Sequence, residues 1–219
     1  MLRTDIDDVL AEVLTDRRLL AHPFYRRWEA GTLARQELAA YAAQYRHFEV
    51  ALPGVLERVA AHTGDATARA LVEANLADER GVPAPHVELF DGFASAVGAP
   101  AQAPMTGATA ALVRLYDELA DGPVPMALAA VAAYEVQSAE IAASKADGLR
   151  ARYGVDAAGT RFWDVHAGID QDHGAWIVDA LAALDADPDD VRDAAGAAAS
   201  AWWAFLDERE AAAPVARAC

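Results

Sequence analysis

The chain has 219 residues, of which 54% are hydrophobic and 24% are charged, so it can bury a substantial core and is not expected to be disordered. Eighteen basic residues against thirty-four acidic ones give a formal net charge of −16, which argues against nucleic acid or an anionic membrane as a main partner. The single cysteine, Cys219, is the last residue, and this excludes a disulfide framework, a thiolate zinc site and an internal catalytic thiol. No signal-peptide pattern and no membrane-spanning stretch is evident, so we expect a cytoplasmic protein.

Helical periodicity carried by alanine and leucine runs along the chain, and strand and hairpin signals are scarce. The pattern predicts helices at about 4–20, 33–61, 66–80, 86–98, 107–121, 124–150, 158–184 and 187–211. Pro23 and Gly31 flank a segment that we interpret as a short aromatic connector, and Gly154 ends the sixth helix. Because no linker or change of composition divides the segments, residues 1–219 predict one all-α domain, a bundle of seven to eight helices with a frayed tail after about residue 211.

Lysine occurs once in the chain. Of the eighteen basic residues, seventeen are arginine and one is Lys145. Arginine stays charged, whereas lysine can lose its proton and act as an amine. Lys145 is therefore either a chance residue on a solvated face or a position where a guanidinium will not serve.

The strongest group of potential metal ligands is the segment from His166 to His173. Positions i, i+4 and i+7 of a helix lie on one stripe, so His166, Asp170 and His173 project from the same face. Two imidazoles and a carboxylate on one stripe form half of a divalent-metal site. The alternative is a pair of surface histidines beside an acidic residue.

Two other segments offer ligands that could complete such a site. Glu79 and His86 lie on either side of a proline-broken joint, which allows them to converge. Glu135 and Glu140 interrupt an almost charge-free helix at angles about 140° apart, so only one can face inward. We expect Glu135 to be the inward residue, and either glutamate could instead be a surface acid.

Four segments together resemble a known group of helical proteins: HPFYRRWEAGTLARQELAAYAAQYRHFE, Glu79-x6-His86, YEVQSAEIAASKADGL and FWDVHAGIDQDH. They are similar to the heme-oxygenase-like proteins, which range from TenA and PqqC to the di-iron oxidases, and most of all to the CADD-like branch. The resemblance covers about residues 20–180 and implies a single heme-oxygenase-like helical bundle. It also implies a non-heme di-iron, oxygen-dependent oxidase that forms para-aminobenzoate, a folate precursor, by a self-sacrificing route.

Carried over residue by residue, the resemblance assigns six metal ligands: Glu79, His86, Glu135, His166, Asp170 and His173. It assigns Tyr25 as the source of the aromatic ring, Lys145 as the source of the amine, and Tyr134 as a neighbouring tyrosine that could relay an electron. One departure is that the position before the last histidine helix is aromatic without being tyrosine, at Phe162 and Trp163.

The resemblance implies two Fe²⁺ ions, with manganese possible in one position, and O₂ as co-substrate. The substrate would be a small molecule or the protein's own side chains, the electrons would come from an external reductant, and the protein would be a homodimer. No nucleic acid or membrane partner is expected. Lys145, about 15 Å along the helix from Glu135, should line the end of the pocket without binding metal.

Several alternatives stay open. A di-iron oxidase could act on a free amino or fatty acid, with Tyr25 and Lys145 only positioning it. A TenA-type hydrolase would need a pocket cysteine, and a heme oxygenase would use a single proximal histidine, for which His22 is the candidate. A PqqC-like oxidase without a metal would suit a more basic pocket, and a non-catalytic helical interaction module would bind no metal. His22, His47 and His62 are predicted not to bind iron. We expect His47 either to line the pocket or to hydrogen-bond a ligand carboxylate, and His62 to be exposed.

Overall fold

A computed structural model describes residues 1–81 and 84–212, apart from the side chains of Asp170 and Gln171. Within these residues the chain is all-α, as predicted, with a short 3₁₀ helix at Leu19–Ala21 and no strand. The α-helices are α1 Arg3–Leu14, α2 Pro23–Ala30, α3 Arg35–His62, α4 Ala66–Glu79, α5 His86–Val97, α6 Gly107–Ala120, α7 Val124–Tyr153, α8 Ala157–Ala183 and α9 Pro188–Ala211. From α3 onward each helix end lies within about three residues of its predicted position, which is the usual uncertainty of such boundaries.

The segment before α3 differs from the prediction. The first helix ends at Leu14, and the aromatic connector is a helix of its own, α2, so the predicted count of seven to eight is too low for the described residues. The His22 side chain caps α2 by accepting from the Phe24 N–H, and Gly31 ends it in the left-handed region at φ 70°. Because both a start and a stop signal are present, a segment only eight residues long forms a stable two-turn helix.

Helix α7 runs through the centre of the bundle and packs most extensively against α8 and α9. Its first half is rich in fully buried alanines, whose small side chains let neighbouring helices approach closely. At one crossing a Cβ added to Gly174 of α8 would meet the Glu135 carbonyl oxygen of α7 at 3.2 Å. This close approach brings the predicted ligands of the two helices side by side.

No helix in the described part of the chain is both long enough and apolar enough to cross a membrane. The tail from residue 213, with Cys219, lies outside the described residues, and so the predicted fraying stays a prediction.

Candidate functional site

Glu79 and His86 converge across the proline-broken joint, as the sequence suggested. Glu79 is the last residue of α4 and His86 the first of α5, and their Oε2 and Nδ1 atoms lie 2.9 Å apart in a hydrogen bond. Both side chains are almost completely buried, at 3% and 1% exposure. The joint therefore places a carboxylate and an imidazole together in the interior of the bundle.

Five of the six predicted metal ligands meet at this point, and we call this group of five the metal centre. One triad consists of Glu79, His86 and His166, and a second consists of Glu79, Glu135 and His173. Within each triad the potential ligand atoms lie within 4.8 Å of one another. Because the triads share Glu79, its two carboxylate oxygens could serve two neighbouring cations. The side chain of the sixth predicted ligand, Asp170, lies outside the described residues.

Hydrogen bonds orient the two imidazoles that α8 contributes. His166 Nδ1 donates to the Phe162 carbonyl oxygen at 2.8 Å, so its Nε2 carries the lone pair in the neutral ring. His173 Nε2 lies 3.3 Å from an Asp78 carboxylate oxygen, and its Nδ1 lies 3.9 Å from Glu79 Oε1. Metal-binding histidines are usually held in this way, with the second ring nitrogen bonded to a carbonyl or carboxylate.

Burial shifts the ionisation of the cluster away from its normal state. The pKa of Glu135 is raised to about 8, mainly by desolvation and to a smaller extent by the charge of Glu79. Burial opposes ionisation of Glu79 as well, but its hydrogen bond to His86 and the neighbouring imidazoles bring its pKa below the usual value. The pKa of His166 is lowered to about 3, mainly by desolvation and to a smaller extent by the proximity of His86. Neutral imidazoles beside buried carboxyl groups are a favourable donor set for divalent cations.

The donors present fit iron or manganese. Oxygen and imidazole nitrogen ligands are those that non-heme iron and manganese accept, whereas thiolates, which zinc sites often use, are absent from the described residues. His86 Nε2 is buried and has no hydrogen-bond partner among the described residues, as expected of an atom that serves as a metal ligand. Glu140, the other glutamate of the same helix, is exposed, so Glu135 is the inward one, as predicted.

Lys145 lies in a cage of aromatic side chains, not at the metal centre. It is 1% exposed, and its Nζ donates to the Tyr41 hydroxyl at 2.7 Å. Five rings surround this nitrogen, with centroids 4.1 to 5.9 Å away: Trp163, Tyr25, Tyr41, Tyr45 and Trp28. We call these five rings and Lys145 the lysine cluster. Lys145 is thus enclosed by side chains, and the expectation that it lines the end of a pocket stays a prediction.

Two tyrosines of α3 connect the predicted catalytic residues by hydrogen bonds. The Tyr41 hydroxyl lies 2.9 Å from that of Tyr25 and also accepts from Lys145. One helical turn later, the Tyr45 hydroxyl is hydrogen-bonded to that of Tyr134 on α7. All three predicted catalytic residues are thus connected through α3, which the sequence analysis did not foresee.

Glu49 is a buried acid that the sequence analysis missed. It is 4% exposed, and its side chain hydrogen-bonds Tyr45. Burial, followed by the charges of Glu79 and Glu135, raises its pKa well above the usual value. Its position four residues after Tyr45, on the buried face of α3, was the available signal. Glu49 therefore interacts with Tyr45 of the lysine cluster and with the charges of two metal-centre glutamates.

The remaining histidines have structural partners. His22 is fully buried, caps α2 through Nδ1, and has its Nε2 3.1 Å from an Asp207 oxygen, so both nitrogens that a heme could use are occupied. His47 Nε2 donates to the Ala103 carbonyl oxygen, and its place in the pocket stays a prediction. His62 is exposed, as predicted.

A surface groove reaches the metal centre from one side. It encloses about 240 Å³ between α1, α7 and α8, and its lining includes Arg3, Asp7, Glu135 and Gly174. Small molecules and cations could therefore approach Glu135 along α1.

Comparison with known proteins gives a consistent result. Residues 39–205 match the family model described as iron-containing redox enzyme. A 4-aminobenzoate synthase of Chlamydia pneumoniae is 30% identical over 91% of this chain and 92% of its own length. A 4-aminobenzoate synthase of Nitrosomonas europaea is 35% identical over 89% of this chain and 87% of its own length.

Solved structures share the fold. A CADD-like protein of Nostoc punctiforme superimposes with a TM-score of 0.77 at 20% identity, covering 96% of this chain and 98% of that one. A TenA homologue of Pseudomonas syringae gives a TM-score of 0.76 at 15% identity, covering 95% and 90%. At these identities the likeness concerns the fold alone.

Proposed function

The chain belongs to the family of iron-containing redox enzymes, and we propose that it forms 4-aminobenzoate, a folate precursor, from its own Tyr25 and Lys145 in an O₂-dependent reaction. The proposal rests on one observation above all. The Lys145 amine lies 4.6 Å from the centroid of the Tyr25 ring, and both residues are bonded to the Tyr41 hydroxyl. The activity of the two 4-aminobenzoate synthases described above supports it.

In this proposal two Fe²⁺ ions, or one Fe²⁺ and one Mn²⁺, are held by the two triads together with Asp170. The metal ions would supply the activation of O₂ that oxidises the aromatic ring. The carboxylates balance most of the +4 charge of the cations, because Glu79, Glu135 and Asp170 contribute −3 when ionised. Burial lowers the pKa values of His166 and His173 and so keeps their imidazoles neutral.

The lysine cluster would position the two reacting groups. Tyr41 holds the amine against the Tyr25 ring and excludes water from it, since all three side chains are buried. Tyr134 is connected to the cluster through Tyr45 and could pass an electron from Tyr25 towards the metal centre. Desolvation raises the pKa of Tyr25 well above its usual range, so its phenol keeps its proton until oxidation removes it.

The net change can be written in terms of bonds. A C–N bond forms between Lys145 Nζ and the ring carbon that carries the phenol oxygen, which leaves as water. The Cα–Cβ bond of Tyr25 breaks, Cα takes up a hydrogen so that residue 25 becomes glycine, and Cβ becomes the carboxyl carbon. The Nζ–Cε bond of Lys145 breaks by oxidation and hydrolysis to an aldehyde. The two side chains together lose six electrons, so two O₂ molecules, which accept eight, need two further electrons from an external reductant and leave two molecules of water.

Isotope labelling tests this assignment directly. The protein would be produced with ring-¹³C tyrosine and ε-¹⁵N lysine, loaded with Fe²⁺, and incubated with O₂, a reductant and unlabelled free amino acids. We expect 4-aminobenzoate carrying both labels, at most one molecule per chain, and peptides in which residues 25 and 145 have lost mass. A Tyr25→Phe variant should bind the same amount of iron and give no product.

A free substrate would produce a different result. The groove beside Glu135 could admit an amino or fatty acid, the alternative for a di-iron oxidase of this fold. Product without label, formed repeatedly by a protein of unchanged mass, would overturn the self-sacrificing route and favour that alternative.

A further inference from the structure

Asn75 is the only asparagine in the chain, and no described residue satisfies its side-chain amide. Its side chain is 0% exposed, and within the described part of the chain neither Nδ2 nor Oδ1 has a hydrogen-bond partner. An unsatisfied buried amide destabilises a fold, and asparagine is also a poor helix former in the middle of a helix. Asn75 therefore has no evident role in holding α4 together.

The position of Asn75 connects it to the metal centre. The buried residues of α4 are Ala68, Val72, Asn75 and Glu79, which lie on one stripe of the helix. Helical side chains lean back towards the preceding turn, so the Glu79 side chain leans towards Asn75. The helix packs this stripe against α8, which carries His166 and His173, and against α3.

We propose that Asn75 is a positioning residue of the metal centre, whose amide is hydrogen-bonded through a buried water molecule to the carboxylate of Glu79. A water in such a place needs two to four polar partners, and Asn75 offers a donor and an acceptor one turn from a buried carboxylate. The water would hold the Glu79 carboxylate in the orientation that serves both triads. The inference rests on the proposed metal centre, but not on the identity of the substrate.

Manganese titration of Asn75→Leu provides the test, because leucine has nearly the same size and no polar atoms. Mn²⁺ alone is the probe, followed by electron paramagnetic resonance, with thermal unfolding of the metal-free protein as the second measurement. We expect Mn²⁺ binding to weaken by about 10- to 100-fold, the range typical for loss of a residue that supports a metal ligand. The melting temperature of the metal-free variant should stay equal or rise, since two unsatisfied polar groups have been removed.

Gln44→Leu is the matched control. Gln44 is also a buried amide, but its atoms bond Pro104 and Thr106 in a loop, so its loss should lower the melting temperature and leave Mn²⁺ binding unchanged. Should Asn75→Leu fail to fold, Asn75→Ala replaces it. That variant leaves room for an additional water and should weaken Mn²⁺ binding by a smaller factor than leucine would.

Two outcomes would separate the hypotheses. If Glu79→Gln abolishes Mn²⁺ binding while Asn75→Leu and Asn75→Ala bind it as well as the parent protein, the role of Asn75 is wrong and the metal centre stands. If Glu79→Gln also binds Mn²⁺ normally, the proposed metal centre is wrong.

Discussion

The metal centre and the lysine cluster share helices α7 and α8, yet they accommodate buried polar groups in opposite ways. At the metal centre Glu135 has a raised pKa and His166 a lowered one, so the site carries an electrostatic cost that divalent cations would relieve. In the lysine cluster Lys145 already has a hydroxyl partner and five aromatic faces. The first region is built to hold something added to the protein, and the second is built from the protein alone.

Of the substitutions that distinguish the two regions, removal of the Glu79 carboxylate should have the largest effect. Because Glu79 belongs to both triads, Glu79→Gln should lose both metal ions, as measured by elemental analysis after anaerobic loading with Fe²⁺. Glu140→Gln, an exposed substitution on α7, is the control and should load normally. Retention of one iron by Glu79→Gln would show that the two triads do not share this carboxylate.

Substitution of Lys145 should affect the lysine cluster and leave the metal centre unchanged. Lys145→Met keeps an unbranched side chain of similar length, so we expect the iron content to stay the same while 4-aminobenzoate formation stops. Mass spectrometry of the filtrate and elemental analysis of the protein measure the two effects. Formation of 4-aminobenzoate by this variant would exclude Lys145 as the source of nitrogen.

The crossing of α7 and α8 can be tested with Gly174→Ala. The added Cβ would meet the Glu135 backbone at 3.2 Å, so the two helices must shift apart beside the metal centre. We expect the free energy of unfolding to fall by about 1–3 kcal/mol and iron binding to weaken. Gly168→Ala on the same helix, where an added Cβ meets nothing within 4 Å, should instead stabilise the protein slightly. Equal behaviour of the two variants in urea unfolding and iron titration would contradict the role of the crossing.

The stability of the metal-free protein should depend on pH on both sides of a maximum. Between its ordinary pKa of 4.5 and its folded pKa of about 8, Glu135 binds more protons in the folded state than in the unfolded state. Its contribution to the free energy of unfolding is therefore lost as pH rises through that window. Between its folded pKa of about 3 and its ordinary pKa of 6.5, His166 binds fewer protons in the folded state than in the unfolded state. Its contribution to the free energy of unfolding is therefore lost as pH falls through that window.

The two effects oppose each other where the windows overlap, between pH 4.5 and 6.5, so the maximum should lie there. From pH 6.5 to 8 the free energy of unfolding should decrease by at most about 1.4 kcal/mol per pH unit for this one group. Denaturant unfolding of metal-free protein at several pH values measures the slope, and Glu135→Gln should make it shallower. The parent protein would contradict the prediction by remaining equally stable from pH 6.5 to 8.

The smallest effect is expected at His62, outside both regions. The side chain is exposed, and its Nδ1 lies 3.3 Å from the Ala120 carbonyl oxygen. His62→Ala should leave the iron content unchanged and alter the free energy of unfolding by no more than about 0.5 kcal/mol. Loss of an iron from this variant would show that the ligand set is incomplete.

The sequence by itself determined the helices from α3 onward and the kinds of ligand at the metal centre. Helix ends depend on local signals such as Gly154, and the spacing of His166 and His173 places both on one face of any straight helix. The end of the first helix and the segment of α2 were misjudged, the latter because its capping signals lie so close together that they suggested a connector. From α3 onward, helix boundaries depend on signals between neighbouring residues, and the predictions based on those signals were confirmed.

Tertiary structure alone decided which side chains meet across helices. That Glu79 belongs to two triads depends on the angle at which α4, α5, α7 and α8 pack, and no spacing along the chain encodes that angle. The same is true of Lys145, whose partners on α2, α3 and α8 are far from it in sequence. Contacts of this kind arise when many buried faces fit together at once, which is why the lysine cluster, Glu49 and Asn75 became visible only in the folded protein.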